Sequence, residues 1–454
     1  MEGLIGLRGV VLAGLLGPTL FGMWSLFRLG LRYGALAAMG IHRGVEVEVS
    51  ADEDAAPPGA RRLWGRAAVG YVVGACGLIG AVTLAVSLGV SSPARETLWA
   101  VAVGLLAERL WMYGTSYMRA AGYLRRYAIV ELVQAGISLA LTTLLALALG
   151  LTGAYLGFTL ALVVGLVLLG RFVPFLPFFS PARVRRLLQV GVPLSIATLS
   201  TTLLATADRL IVVGLEGTEA LGLYSFAVAV SSLGASAALV VRTVVFRDVY
   251  AHARREGGEL AAAKHLEDTV LPVASLLPPL LGIVAVALGP IIALLVPRYE
   301  EIVPVARLFV FIGVGAGFMT LGTVGVVATS RQRLLPLLTL TGLLANVAAG
   351  VAALQLGFGL FGVAVGALVS RSLTGAGVVG LSAADAGVER VGRLVARMLW
   401  PLAWCAGVVW LLGWWRPAND IGSTSVSMLI YVVALLPLAP MLAKEFGRLR
   451  RGNA

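Results

Sequence analysis

The sequence has little charge and almost no lysine. Only 13% of its 454 residues are charged, whereas soluble globular domains carry roughly 25%. Among its 35 basic residues only Lys264 and Lys444 are lysines, and neither follows a Gly-rich segment of the form G-x-x-x-x-G-K-[ST]. The composition therefore excludes an ordinary soluble domain, and the missing phosphate-binding motif disfavours a nucleotide-driven pump.

Cysteine and histidine are also scarce. The two cysteines, Cys76 and Cys405, lie in apolar stretches, where a cysteine is usually a small hydrophobic side chain and a disulfide is disfavoured. The three histidines, His42, His252 and His265, occur in polar segments without the spacing of metal ligands. The sequence thus predicts neither a cofactor nor a metal site.

Long apolar stretches follow one another from the first residues to the last, and 59% of the residues are hydrophobic. A bilayer core of about 30 Å needs roughly 20 apolar residues per helix, and backbone groups in lipid must be hydrogen-bonded within their own segment. The sequence therefore predicts an all-α polytopic membrane protein with about 14 transmembrane helices. The predicted spans are 3–17, 19–41, 67–90, 97–118, 127–150, 153–177, 190–215, 219–245, 270–296, 303–329, 334–356, 358–381, 391–413 and 424–443.

The arginine distribution predicts the orientation of these spans. Basic residues outside the spans occur in alternate loops, and only Arg95, Arg298 and Arg416 occur in the others. Because cytoplasmic loops are enriched in Lys and Arg, both termini are predicted to lie on the cytoplasmic side of the inner membrane. The net charge of +12 is explained by this asymmetry rather than by a nucleic-acid partner.

The longest polar stretches, 42–66 and 246–269, are both predicted to be cytoplasmic. A membrane enzyme of glycan assembly would be expected to carry a large outer domain with clustered carboxylates, and the short outer loops disfavour that class. Residues 46–60, with several acids and Pro57 and Pro58, predict a solvated linker.

An internal repeat relates the first two helices to the seventh and eighth. Residues 14–25 match residues 214–225 without gaps at an offset of 200, with Gly14, Leu15, Gly17, Gly22 and Ser25 identical to their partners. Six helices separate the copies, and an even number returns the chain to the same side of the membrane. The match predicts two parallel six-helix lobes related by an axis along the membrane normal, with a substrate site near mid-membrane between them. A chance match between Gly-rich apolar helices is the alternative.

The repeat divides the chain into an N-terminal lobe over 1–180, a C-terminal lobe over 181–385, and two additional helices with a basic cytoplasmic tail over 386–454. The seventh helix begins near Val190, so its counterpart would begin about ten residues before Met1 at the same offset. The first helix is therefore expected to be short, or the N-terminus incomplete.

Three segments resemble a known family, the polysaccharide (oligosaccharide) flippases. The superfamily that holds these flippases also holds the multidrug and toxic-compound extruders and the lipid II flippases. The three segments are Leu16–Trp24; Gly191–Ser195 with Ala207–Ile211 and Leu221–Ser225; and Asn346 with Phe358–Gly366. The similarity covers nearly the whole chain, but Phe246-Arg247 stands where family members often have a proline.

The resemblance implies a secondary transporter, not an enzyme. It would flip a polyprenyl-pyrophosphate-linked oligosaccharide to the outer leaflet by alternating access, for cell-surface polysaccharides such as the O-antigen of lipopolysaccharide. The expected partners are this substrate and membrane lipids, and the protein is expected to act as a monomer. Coupling to protons or sodium and association with glycan-assembly proteins are left open, as are the lipid II and multidrug-exporter alternatives within the same fold.

Charges deep within the spans are the candidate substrate-binding residues, because each costs at least about 2.5 kcal/mol at the bilayer centre. Arg28 and Arg32 lie four residues apart on one helix face. At 1.5 Å per residue, Arg28 and Asp208 lie roughly 14 Å from the outer ends of their helices. Arg28, Arg32 and Arg209 are predicted to hold the pyrophosphate, with Asp208 as their counter-ion or as a proton-coupled gate. Arginine suits phosphate because its planar fork donates two hydrogen bonds.

Other embedded residues have structural interpretations. Arg242 and Arg371 lie nearer the predicted cytoplasmic ends, where snorkelling is expected, and snorkelling is also the alternative for the candidate arginines. Glu108 and Arg109 are adjacent and so are expected on different faces of their helix, where pairing with other helices is the structural alternative to a functional role. The aromatic residues Trp410, Trp414 and Trp415 predict an interfacial belt rather than a sugar platform.

Overall fold

The computed structural model describes residues 2–51, 60–231, 258–329, 331–384, 388–415 and 421–452. These residues form α-helices and short 3-10 turns, with no β-strand among them, and they belong to an N-terminal unit (Met1–Leu199) and a C-terminal unit (Ser200–Ala454). The helices are α1 (Glu2–Gly34), α2 (Ile41–Ala51), α3 (Ala60–Ser87), α4 (Ala94–Ala120), α5 (Leu124–Leu169), α6 (Pro181–Val230), α7 (Gly258–Leu295), α8 (Val303–Ala328), α9 (Leu335–Gln355), α10 (Gly359–Ser382), α11 (Val388–Trp415), α12 (Ile421–Ala434) and α13 (Ala439–Gly452).

Ten stretches within the described residues are long and apolar enough to cross a membrane. The protein is therefore an all-helical, multi-pass membrane protein, as predicted. α4 occupies the predicted span 97–118 but carries Glu108 and Arg109 at its centre, so it is less apolar than its neighbours. Of the predicted span 219–245, residues 232–245 lie outside the described part of the chain.

Three of the long helices are each a pair of antiparallel helices joined at one glycine. Gly17, Gly150 and Gly217 have φ values of 72°, 60° and 87°, which L side chains rarely adopt. Side chains on either side of these glycines meet: Arg8 lies over the Trp24 ring, and Tyr224 donates to Asp208. Each of these three long helices is thus a tight helical hairpin within the described residues.

The repeat predicted at an offset of 200 residues is visible in the backbone. Gly17 has φ 72° and ψ 173°, and Gly217 has φ 87° and ψ −172°, so both turns use nearly the same conformation. Trp24 and its partner Tyr224 are both buried. This agreement supports a true repeat over a chance match.

The predicted hairpin between the eleventh and twelfth spans is present between α9 and α10. Gly357 and Gly359 have positive φ values, and the Phe358 N–H donates to the Ala353 carbonyl at 2.9 Å. A Cβ on Gly362 would lie 2.8 Å from the Ala353 Cβ. The two helices therefore approach closely as soon as they leave the turn.

Close packing also positions the second half of α1 against α4. A Cβ on Gly30 would lie 2.9 Å from a Val101 methyl group, and one on Gly34 would meet Leu105 at a still shorter distance. Small residues allow helices in a membrane to approach in this way. The contact holds Glu108 and Arg109 beside the half of α1 that carries Arg28.

The interpretation of residues 46–60 as a solvated linker is wrong for its first part. Glu46 and Glu48 belong to α2, where Glu46 accepts hydrogen bonds from Arg43 at 2.8 Å and Arg119 at 2.5 Å, and Glu48 accepts one from Arg186 at 2.8 Å. Burial raises the pKa of Glu46, but the hydrogen bonds from Arg119 and Arg43 outweigh it and lower that pKa below its usual value. Residues 52–59 lie outside the described part of the chain.

The turn at Gly217 can be tested against a nearby helical glycine. A Cβ would meet no atom of the described residues within 4 Å at either Gly217 or Gly214, so the two sites differ in their backbone conformation. We expect Gly217→Ala to destabilise the protein by about 1–3 kcal/mol, because alanine is strained at this φ and ψ. Gly214→Ala should stabilise it by about 0.5–1 kcal/mol. Thermal unfolding of the purified variants in detergent measures both, and equal midpoints would contradict the assigned turn.

Candidate functional site

The N-terminal unit contains a cavity of about 150 Å³ among α1, α4 and α5. Apolar residues form part of its wall, and charged or polar side chains enter it from all three helices. The polar lining residues are Arg8, Arg28, Glu108, Glu131, Gln134 and Ser138. A membrane-embedded cavity with this lining is suited to a polar ligand.

Two arginines converge on one aromatic ring at the cavity. The guanidinium of Arg28 lies 4.5 Å from the centroid of Phe158, and that of Arg8 lies 5.1 Å from the same centroid. Arg8 also donates to the Ser138 hydroxyl at 2.5 Å and lies 5.8 Å from the Trp24 ring. Cation–π contacts hold these guanidinium groups in place without using up their hydrogen-bond donors.

Arg28 retains donor capacity at the cavity. Its Nη1 atom is buried and has no hydrogen-bond partner among the described residues, which is costly for a charged group unless a ligand completes the site. Arg32, one turn further along α1, is exposed and does not line the cavity. The structure thus separates the two arginines that the sequence placed on one helix face.

The cavity also contains acids. Glu108 and Glu131 both line it, and Glu131 is hydrogen-bonded to Tyr127 one turn away. Glu108 lines the cavity and Arg109 does not, although Arg109 Nη2 lies 3.4 Å from Glu108 Oε2. Arg109 also donates to the Leu31 carbonyl at 3.4 Å, and its buried Nε and Nη1 atoms have no partner among the described residues.

Asp208 lies in the C-terminal unit and is completely buried. Arg371 of α10 donates to its Oδ2 atom at 2.6 Å, and Tyr224 donates to the same oxygen at 2.9 Å. The backbone N–H of Arg209 donates to the other oxygen at 3.0 Å. The acid is therefore bound on both oxygens within its own unit.

The expected snorkelling of Arg371 is wrong. Only 7% of this residue is exposed, and its guanidinium points inward to Asp208. Pairing with a buried carboxylate competes with solvation of the guanidinium at the membrane surface, and in this structure the ion pair forms. The other arginine expected to snorkel, Arg242, lies outside the described residues.

A second polar contact involves the backbone of α6 about one turn before Asp208. Asn346 of α9 is buried, and its Nδ2 atom donates to the Leu204 carbonyl at 3.4 Å, while its Oδ1 atom has no partner within the described part of the chain. Polar side chains of α6, α9 and α10 thus connect these three helices within the C-terminal unit.

Sequence reasoning missed Arg8 and Arg371 as members of these sites. The internal repeat could have identified Arg8, because the offset of 200 residues pairs Arg8 with Asp208, just as it pairs Gly17 with Gly217. The comparison of distances from the outer helix ends paired Asp208 with Arg28 instead. For Arg371 no local signal existed, since its partner is 163 residues away in the chain. The candidates Arg28 and Arg32 belong to the N-terminal unit, and Asp208 and Arg209 to the C-terminal unit.

The helical hairpins and the many membrane spans define a polytopic helical membrane protein with charged groups buried in both units. Solved structures share this fold. The lipid II flippase MurJ, in an inward closed conformation, matches 98% of this chain and 97% of its own with a TM-score of 0.69 and 12% identity.

Multidrug resistance MATE family transporters of the MOP superfamily also match. An inward-facing structure covers 87% of this chain and 95% of its own with a TM-score of 0.59 and 18% identity. An outward-facing structure covers 87% and 99% with a TM-score of 0.51 and 16% identity. The chain therefore has the fold of MOP-superfamily transporters. No protein-family model and no curated relative matches the sequence.

The buried pair of Asp208 and Arg371 can be tested by a double-mutant cycle. Removing one charge leaves the other buried and unpaired, so Asp208→Asn and Arg371→Gln should each destabilise the protein by about 3–5 kcal/mol. The double variant should recover much of that loss. The exposed pair of Glu389 and Arg393, 3.6 Å apart, is the control, and its charge-removing variants should change stability by less than about 0.5 kcal/mol. Thermal unfolding in detergent measures all of them, and strictly additive losses at Asp208 and Arg371 would contradict the pairing.

Proposed function

We propose that this protein is a secondary transporter that flips a polyprenyl-pyrophosphate-linked oligosaccharide across the cytoplasmic membrane by alternating access, for the synthesis of a cell-surface polysaccharide. The observation that carries the proposal is the cavity of the N-terminal unit, where Arg8 and Arg28 converge on Phe158. The fold supports it, because one protein that shares this fold over nearly the whole chain is a lipid II flippase.

The chemistry of the cavity favours an anionic group. Arg28 has a buried nitrogen without a hydrogen-bond partner in the described structure, and Arg8 lies beside it over the same ring. A pyrophosphate offers several acceptor oxygens to such donors, and charge-assisted hydrogen bonds to phosphate are among the strongest in proteins. Because the cavity holds only about 150 Å³, it fits the head of a lipid-linked substrate rather than its sugars.

The four candidate substrate-binding residues predicted from the sequence then have different roles. Arg28 binds the pyrophosphate together with Arg8, while Arg32, exposed one turn away, attracts the anion toward the cavity. In the C-terminal unit Asp208 is the counter-ion of Arg371, and Arg209 offers further positive charge beside it. Protonation of Asp208 would release Arg371, which makes this pair the candidate for proton coupling, with sodium or membrane potential as the alternative driving force.

A second function is favoured by one observation. Glu108 and Glu131 line the same cavity as the arginines, and acids in a membrane cavity suit a cationic drug. Multidrug MATE transporters share the fold. Against export of cations, Arg109 lies within ion-pair distance of Glu108, so the arginines in and beside the cavity outnumber the acids.

The proposed substrate site can be tested with undecaprenyl pyrophosphate as the probe. We expect Arg28→Ala to weaken its binding to the purified protein by about tenfold or more, because one charge-assisted contact contributes at least about 1.4 kcal/mol. Arg28→Lys should bind with intermediate affinity, since a lysine retains the charge but not the two-pronged geometry. Native mass spectrometry over a range of lipid concentrations measures the affinities.

The matched control is Arg95→Ala, which removes one exposed arginine outside the cavity. Its affinity should equal that of the unmodified protein. The same variants can be scored for surface glycan in cells that depend on this transporter. Unchanged binding and full surface display by well-expressed Arg28→Ala would refute the assignment of this residue.

The multidrug alternative makes a separate prediction. A cation exporter expressed in a drug-sensitised host should raise resistance to cationic dyes, and Glu108→Gln should abolish that resistance because it removes the charge that attracts a cation. Under the flippase proposal neither protein changes dye resistance. Growth inhibition curves with ethidium decide between the two functions.

A further inference from the structure

The C-terminal unit contains a cavity of about 240 Å³ that is not lined by Asp208 or Arg371. It lies where α8 and α10 begin and where α11 ends. Pro304 and Arg307 come from the first two turns of α8, Phe361 from the first turn of α10, and Trp410 and Gly413 from the end of α11. Apart from Arg307, its lining is apolar or aromatic.

Arg307 is a buried cation with no counter-ion among the residues that the structure describes. Only 7% of the residue is exposed, and its Nε atom donates to the Ala285 carbonyl at 3.2 Å. That carbonyl is its only hydrogen-bond acceptor within the described residues, so the Nη atoms retain their donor capacity at the cavity wall. A guanidinium in an apolar environment is costly unless an anion meets it.

The opposite wall of the cavity leaves room for the guanidinium. A Cβ on Gly413 would lie only 2.8 Å from Arg307 Nη1, so any larger residue at this position of α11 would displace the arginine. α10 begins at the cavity, and helix N-termini favour negative charge through their unpaired N–H groups and dipoles. The arginine and this helix end thus point to an anion.

The outside of the cavity is suited to acyl chains. Trp410 is 49% and Trp414 is 79% exposed, and both line it. Exposed tryptophans in membrane proteins concentrate at the level of the lipid head groups. By the arginine distribution, this end of α11 faces the outer leaflet.

We propose that this cavity binds the phosphate of an anionic phospholipid of the outer leaflet, with Arg307 as the phosphate ligand and Trp410 and Trp414 against the acyl chains. Its volume is below the roughly 300–1,000 Å³ of pockets that enclose whole ligands, so it holds the phosphate and glycerol while the chains stay in the bilayer. The site requires only that the chain spans a membrane, and it stands independently of the transport function proposed above.

Native mass spectrometry of the purified protein with phosphatidylglycerol or phosphatidylethanolamine tests the site. We expect at least about tenfold tighter binding of phosphatidylglycerol, because the ammonium of phosphatidylethanolamine offsets its own phosphate charge. Arg307→Gln should abolish this preference. Arg298→Gln removes an exposed arginine just before α8, the helix that carries Arg307, and it should leave the preference unchanged.

Two further variants keep the test decisive if Arg307→Gln folds poorly. Gly413→Leu fills the cavity without removing charge and should also abolish the preference, whereas Arg307→Lys should retain part of it. Equal binding of phosphatidylglycerol by Arg307→Gln, Gly413→Leu and the unmodified protein would overturn the site. If equimolar undecaprenyl pyrophosphate displaces phosphatidylglycerol from the unmodified protein, and Arg307→Gln abolishes this displacement, the choice of ligand is overturned. The site would then be assigned to the lipid carrier.

Discussion

Lipid offers no hydrogen-bond partner to a peptide group, and this constraint determines how the chain can turn. Inside a bilayer every N–H and C=O must be bonded within its own helix, so reversals are confined to a few residues at the membrane surface. Gly17, Gly150 and Gly217 make this reversal in a single residue each, with φ angles that other residues rarely adopt. The helical hairpin is therefore the structural unit, and each hairpin brings residues from two helices to one level of the membrane.

The same constraint applies to charged side chains, and two of the buried sites meet it differently. At one site Asp208 and Arg371 neutralise each other, and Tyr224 and a backbone N–H complete the acid's hydrogen bonds. At the other site Arg8 and Arg28 face an aromatic ring, and one nitrogen of Arg28 has no hydrogen-bond partner among the described residues. The charge of Asp208 is thus neutralised by the protein, whereas that of Arg28 is left available to a ligand.

Much of the fold could be predicted from the sequence because its determinants are local. Apolar length predicts the spans, and the glycines of the repeated segment predict two hairpin turns with matching φ and ψ. The site could be predicted only in part. The membrane-embedded positions of Arg28 and Asp208 follow from their depth along their helices, but the partner of Asp208 lies 163 residues away. No periodicity connects the two, because pairing depends on which helices pack together.

The mistaken interpretation of Arg371 shows how depth estimates fail for arginine. Its long side chain can reach water or a buried carboxylate from the same backbone position, and position along a helix does not distinguish these outcomes. The direction of the arginine side chain depends on whether an acid lies within its reach, since a buried carboxylate is itself costly without a cation. Asp208 therefore accounts for the inward direction of Arg371, whereas Arg307 points into an apolar cavity whose described lining contains no acid. An arginine paired with a carboxylate is neutralised within the protein, and one without a carboxylate is where an anionic ligand is expected.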